Sequence, residues 1–189
     1  MQSMLRTNSS FLSFIQQLHK SGKYNNEISL KLFPKGSLLL QQGCKVTKIF
    51  IVEDGITKCY FSEENGKNYI LEFLSAGEIV GELEVIKDVD CLCTVEAVTE
   101  VRAFVLTVPV VKSLLDNDLL FNQMLLAELA ERIINTSSRS SFQQLYSVEH
   151  GLKKLLMLQS EHHLIISKED MAAYLGVTLR SLNRLLAAK

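Results

Sequence analysis

The residues best placed to do chemistry lie in the last stretch of the chain, SKEDMAAYLGVTLRSLNRLLAAK, from Ser167 to Lys189. Arg180, Ser181, Asn183 and Arg184 fall on helix faces left free once Leu182, Leu185 and Leu186 are assigned to a buried side. Arginine, serine and asparagine presented by one helix suit base edges and phosphates in a DNA major groove. Thr178 and Lys168 complete the candidate DNA-contacting set, with Lys189 as a further basic residue. The same pattern also describes an ordinary helical hairpin with a solvated basic face, so position in the chain must decide between the two.

Local signals frame this stretch as two helices and a tight turn. Ser167 is an N-cap with Asp170 three residues on, as in a capping box, and Met171, Ala172 and Leu175 make an apolar stripe. Gly176 suits a left-handed helix end, Val177 fills the corner, and Thr178 caps the second helix.

Other reactive residue types give weaker leads. The four cysteines are Cys44, Cys59, Cys91 and Cys93, and in a chain without a secretory pattern they are expected as thiols. Cys91 and Cys93 alternate with Val95 and Ala97, and Cys59 with Phe61, which reads as core packing. Cys44, beside Gly43 in a turn, is the one expected to be exposed. His19, His150, His162 and His163 all lie outside the strand-rich region, so no catalytic metal set of a barrel interior can be assembled. No catalytic triad or dyad stands out, and the chain reads as a non-enzyme.

The composition allows a substantial core: 189 residues, 47% of them hydrophobic. The formal net charge is −1, so a nucleic-acid surface has to be local. From His150 onward, six basic residues face three acidic ones, which makes the C-terminal part the basic one. No run is apolar and long enough to span a membrane, and the cytoplasm is the expected location.

Taken in order, residues 9–20 form an amphipathic helix with Phe11, Phe14, Ile15 and Leu18 on one side. Strand-like runs follow: ISLKLF, SLLLQQ, KIFIVE, ITKCYFS, KNYILEFLS, IVGELEVI, CLCTVEAV and EVRAFVLTV. Turn signals such as Asp54-Gly55 and Asn65-Gly66 separate them at a spacing that predicts an all-β sandwich or jelly roll. After Pro109 the chain turns helical. Phe121, Met124, Leu125, Leu129 and Ile133 crowd a long helix with more apolar surface than one contact needs, which predicts a two-fold partner on these residues. NTSSRSS (135–141) predicts a hinge or an exposed helix end, and LIIS a short strand ahead of Ser167.

A β-sandwich, a long apolar helix and a helix-turn-helix, in this order, resemble the Crp/Fnr superfamily of bacterial transcription regulators. The resemblance rests on Gly36, Gly43, Gly55, Gly66, Gly77 and Gly81, the Gly81-Glu82-Leu83 triplet and AAYLGVTLRSLNRLL. Within it, GELEVIKD and NDLLF are most similar to the YeiL-type branch. It implies an α+β chain: a cupin-like jelly roll of the cyclic-nucleotide-binding-domain type (1–115), a dimerisation helix and hinge (116–147), and a helix-turn-helix domain (148–189). It further implies a homodimer on a palindromic operator, with RNA polymerase as a second partner. Family members continue into a β-hairpin wing, which this chain, ending at Lys189, is expected to lack. The nucleotide-responsive members also carry an arginine where Leu179 stands, which puts the site preference apart from theirs.

In nucleotide-sensing members the Gly-Glu-Leu triplet opens a short helix, its Glu bonds the ribose, and a later Arg-Ser pair holds the cyclic phosphate. The corresponding effector pocket here would be Gly81, Glu82, Leu83, Cys91, Leu92 and Cys93, but no arginine occurs between Glu82 and Arg102. A buried phosphate would lack its bidentate guanidinium, and no cyclic nucleotide is expected. Glu82 is then expected to serve as a capping residue. Redox-sensing relatives hold iron–sulfur clusters on N-terminal cysteines, which are absent, so a metal or cluster site would have to use Cys44, Cys91 and Cys93. No cofactor is predicted.

Overall fold

The computed structural model describes residues 5–24 and 27–187; Lys189, counted above among the basic residues, lies outside them. Two sheets face each other. One has the order β1 (Leu5–Arg6), β6 (Asn68–Leu74), β5 (Thr57–Ser62), β8 (Thr94–Ala97) and β3 (Leu38–Leu40). The other runs β2 (Ile28–Phe33), β9 (Val101–Thr107), β4 (Lys48–Asp54) and β7 (Ile79–Val80).

Each sheet is apolar on both faces, and this builds a four-layer molecule. Along β4, Ile49 and Ile51 point outward to a helical layer while Phe50 and Val52 point between the sheets. The outer layer on that side is α1 (Ser9–Lys20), α3 (Val108–Asn117) and the start of α4 (Leu119–Leu145). On the opposite side, Ile70 and Phe73 of β6 meet α5 (Val148–Glu161), α6 (Lys168–Leu175) and α7 (Leu179–Ala187). The helices start where their caps predict. The Asn8, Asp118 and Ser147 side chains accept from the N–H groups of Phe11, Phe121 and His150.

Turns at two glycines are obligatory. Gly55 (φ 92°) and Gly77 (φ 87°) lie in the left-handed region, and a Cβ there would collide with the carbonyls of Glu100 and Asn8.

Three sequence expectations need correction, and one strand was not expected. IVGELEVI is a strand only at β7; Gly81 then takes φ 95° and α2 runs from Glu82 to Lys87. The run is too short for its period to separate strand from helix. NTSSRSS makes no break, since α4 passes through it unbroken to Leu145. LIIS pairs with no strand among the described residues, although Leu164 and Ile166 are buried and Ile165 is exposed, as its alternation implies. Strand β1, parallel to β6, has no signal in its two residues.

Candidate functional site

The helix-turn-helix is assembled as its caps dictate. The Ser167 hydroxyl accepts from the Asp170 N–H at 3.0 Å and Gly176 closes α6 at φ 68°. Val177 N–H then donates back to the Ala172 carbonyl at 3.0 Å. Thr178 Oγ1 accepts from the Ser181 N–H at 3.2 Å, and the two hydroxyls lie 3.0 Å apart. Leu182 is fully buried beneath α7. Lys168, Thr178, Arg180, Asn183 and Arg184 are exposed, while Ser181 is half-buried and engaged in the cap. Five of the six candidate DNA-contacting residues are therefore open to solvent, four of them at or within α7 and Lys168 at the start of α6.

The expected dimer residues divide. Phe121 and Leu125 are buried within the chain, and Phe121 packs edge-on to Phe11 with centroids 5.8 Å apart. Met124 and Leu129 are half-buried against the same core, and only Ile133 of the five is open. The outward stripe instead runs through Leu119, Leu126 and Ile133, at 72%, 67% and 68% exposure and one heptad apart. Sequence alone showed that α4 has two apolar sides, but the inner one could be chosen only by placing α1.

Gly81, Glu82 and Leu83 open α2, and Cys91, Leu92 and Cys93 lie in the loop leading to β8. Glu84 ties the two pieces together, accepting from the Leu92 N–H at 3.1 Å. Glu82 is not the cap it was expected to be, because the N-cap is Gly81 and the Glu82 carboxylate turns to Arg132 of α4. Arg132 also donates to the Ile79 carbonyl and lies 3.3 Å from Glu128. Arg6 of β1 joins the same cluster, bonded to Glu128, 2.9 Å from Glu72 and 3.1 Å from Glu78.

Four carboxyl groups thus meet two guanidinium groups in a largely buried junction, an excess that favours keeping a carboxyl protonated over ionising all four. Burial lifts Glu78 from its ordinary 4.5 to about 8, with Glu128 adding to the rise and Arg6 opposing it. Burial likewise raises Glu82 against the pull of Arg132. For Arg132 burial acts to lower the pKa, but Glu82 and the other carboxylates more than offset it. None of Arg6, Glu78, Glu128 and Arg132 was singled out from the sequence. The available signal was the Glu128–Arg132 pair, four residues apart inside an apolar helix.

Cys44 is exposed, Cys59 and Cys91 are buried and Cys93 is half-buried. Among the described residues, no three His, Cys, Asp or Glu side chains are arranged to hold a metal ion. Cys44, Cys91 and Cys93 form no such group. The neighbouring Cys93 thiol, and then burial, hold Cys59 well above the ordinary thiol range, and burial raises Cys91. Thiols kept protonated are poor ligands and poor nucleophiles.

With this geometry in place, similarity to known proteins is informative. Residues 30–118 match the cyclic nucleotide-binding domain family. The chain is 27% identical over 150 residues to the regulatory protein YeiL of Escherichia coli O157:H7, across 79% of this chain and 68% of that protein. Its fold is similar to that of a Crp/Fnr-family transcriptional regulator from Eubacterium rectale (TM-score 0.79, 15% identity, 95% of this chain and 85% of that one). It is also similar to the c-di-GMP-responsive global regulator CLP of Xanthomonas campestris (TM-score 0.75, 16% identity, 90% of each chain). Residues 30–118 are thus similar to the cyclic nucleotide-binding domain, and the β-roll, long helix and C-terminal helices, joined in this order, give the chain a Crp/Fnr-like fold.

Proposed function

We propose that the chain is a homodimeric, sequence-specific DNA-binding transcription regulator that acts in the cytoplasm on a palindromic operator, with RNA polymerase as a second partner. The observation that carries this reading is α7, whose Leu182 is buried while Arg180, Asn183 and Arg184 stand free in solvent. Such a helix can enter a major groove without rearranging its own fold. The proteins it resembles are regulators rather than enzymes. Among the described residues no helix is long and apolar enough to cross a membrane.

The stripe Leu119, Leu126 and Ile133 supports a parallel pairing of α4 with its copy, which would set the distance between the two reader heads. The effector is something other than a cyclic nucleotide, or there is none. The carboxylate that would hold a ribose is committed to Arg132, and the Asp90-Cys91-Leu92-Cys93 loop offers no guanidinium to a phosphate.

Gel shifts of the purified protein against a randomised palindrome library, run over a range of salt, test the reading. One enriched sequence bound with a steep salt dependence is expected. If no sequence is enriched, the protein is a sensor of the same fold without DNA binding. Arg180→Ala and Arg184→Ala should each weaken the selected site by about 1–3 kcal/mol if they contact a base. A phosphate contact would instead lower the salt slope by about one. For the dimer, Leu126→Ser with Ile133→Ser should convert the protein to monomer in sedimentation equilibrium.

A further inference from the structure

The reader does not hang from α4; it lies on the outer face of the five-stranded sheet, within one continuous core of β6, α5, α6 and α7 side chains. The joint has three parts. Phe73 of β6 stacks on Tyr174 of α6 with ring centroids 5.4 Å apart. Lys58 of β5 places its ammonium 2.7 Å from Asp170 of α6 and 3.2 Å from Glu96 of β8, each of the three no more than a quarter exposed. Arg139, in the serine-rich part of α4, donates to the carbonyls of Ile70 in β6 and Tyr174 in α6, both at 2.8 Å. Its guanidinium covers the Tyr174 ring at 4.1 Å and the Tyr69 ring at 5.2 Å. One arginine therefore meets the long helix, the sensor sheet and the reader at once.

This joint leaves the DNA-facing side of α7 uncovered, since Arg180, Asn183 and Arg184 are all exposed while it is closed. It orients the reader and does not hide it. Resting on the DNA-binding reading above, we propose that Lys58 and Arg139 are positioning residues, which hold each reader head on its sensor sheet at the angle a palindrome requires. Two heads fixed in advance capture both half-sites with little further loss of freedom, whereas loosened heads must be ordered on the DNA. A single half-site makes no such demand.

The test uses the full chain and four proteins: wild type, Lys58→Met, Arg139→Gln, and the charge exchange Lys58→Glu with Asp170→Lys. The exchange keeps the count of one cation and two carboxylates at the joint, because Glu96 is unchanged, with the cation now on α6 facing both strands. Each is titrated with the palindrome selected from the library and with a duplex carrying one half-site, and hydrogen exchange is followed in α6. Each single variant should bind the palindrome about tenfold more weakly and the half-site within about twofold of wild type. Its α6 amides should exchange about tenfold faster, and the charge exchange should restore both readings. The proposal is overturned if palindrome affinity is unchanged or raised, if both duplexes weaken alike, or if α6 exchange does not move. A wild-type protein that binds neither duplex removes the DNA reading and the positioning role with it, while α6 exchange in the variants still shows whether the joint holds the head.

Discussion

Two charge clusters fasten helices to the β-roll, and they are built differently. At the foot of α4, Arg6 and Arg132 serve Glu72, Glu78, Glu82 and Glu128 in a junction where Glu78, Glu82 and Glu128 are almost wholly buried. At the start of α6, Lys58 serves Glu96 and Asp170 close to solvent. Burial is also the largest influence on Lys58 and would lower its pKa, but Asp170 and then Glu96 raise it above its ordinary value. The first cluster is largely buried, so removing a cation leaves carboxylates with little solvent to compensate them. The second is partly wet, so water and counterions can replace what a substitution takes away. One is a foundation and the other a separable joint.

The largest effect that should separate them is Arg132→Ala. Glu82 and Glu128 would lose their shared cation inside the protein, at a cost of about 3–5 kcal/mol in chemical denaturation. A cost near 1 kcal/mol would mean that the foundation is as wet as the joint. Next comes pH. Glu78 has a folded pKa of about 8 against an ordinary 4.5, so the folded chain holds this proton more tightly than the unfolded chain. Stability should therefore be highest below about pH 4.5 as far as this group is concerned. It should fall as pH rises towards 8, with a limiting slope of about 1.4 kcal/mol per pH unit. Glu78→Gln should flatten that slope, as read from denaturation midpoints at intervals across this window. The smallest effect belongs to Lys58→Met, which should change global stability by about 1 kcal/mol or less. Equal losses in Lys58→Met and Arg132→Ala would abolish the distinction between the two clusters.

How much was legible beforehand depends on the range of the interaction. Helix α1, the caps at Ser167 and Thr178 and most strands follow from neighbours within a few residues, and they stand where the pattern placed them. The exposed face of α7 was readable for the same reason, since a short helix with one leucine face declares its other faces. Arg6 was not, because its carboxylate partner in α4 lies 122 positions away. Nor was the continuity of α4 through NTSSRSS. Serine, threonine and asparagine are weak helix formers, and the helix persists where Arg139 ties it to Ile70 and Tyr174.

The sequence by itself determined the order of parts, the strand and helix periods, the turn glycines and the polar face of α7, all of which rest on local sterics, capping and hydrophobic periodicity. The tertiary structure alone decided which side of α4 is core, that Glu82 answers to Arg132, and that α5, α6 and α7 are seated on the five-stranded sheet. These are choices among partners distant in the chain. Each is made by the burial of faces that the sequence marks as apolar or charged without saying against what.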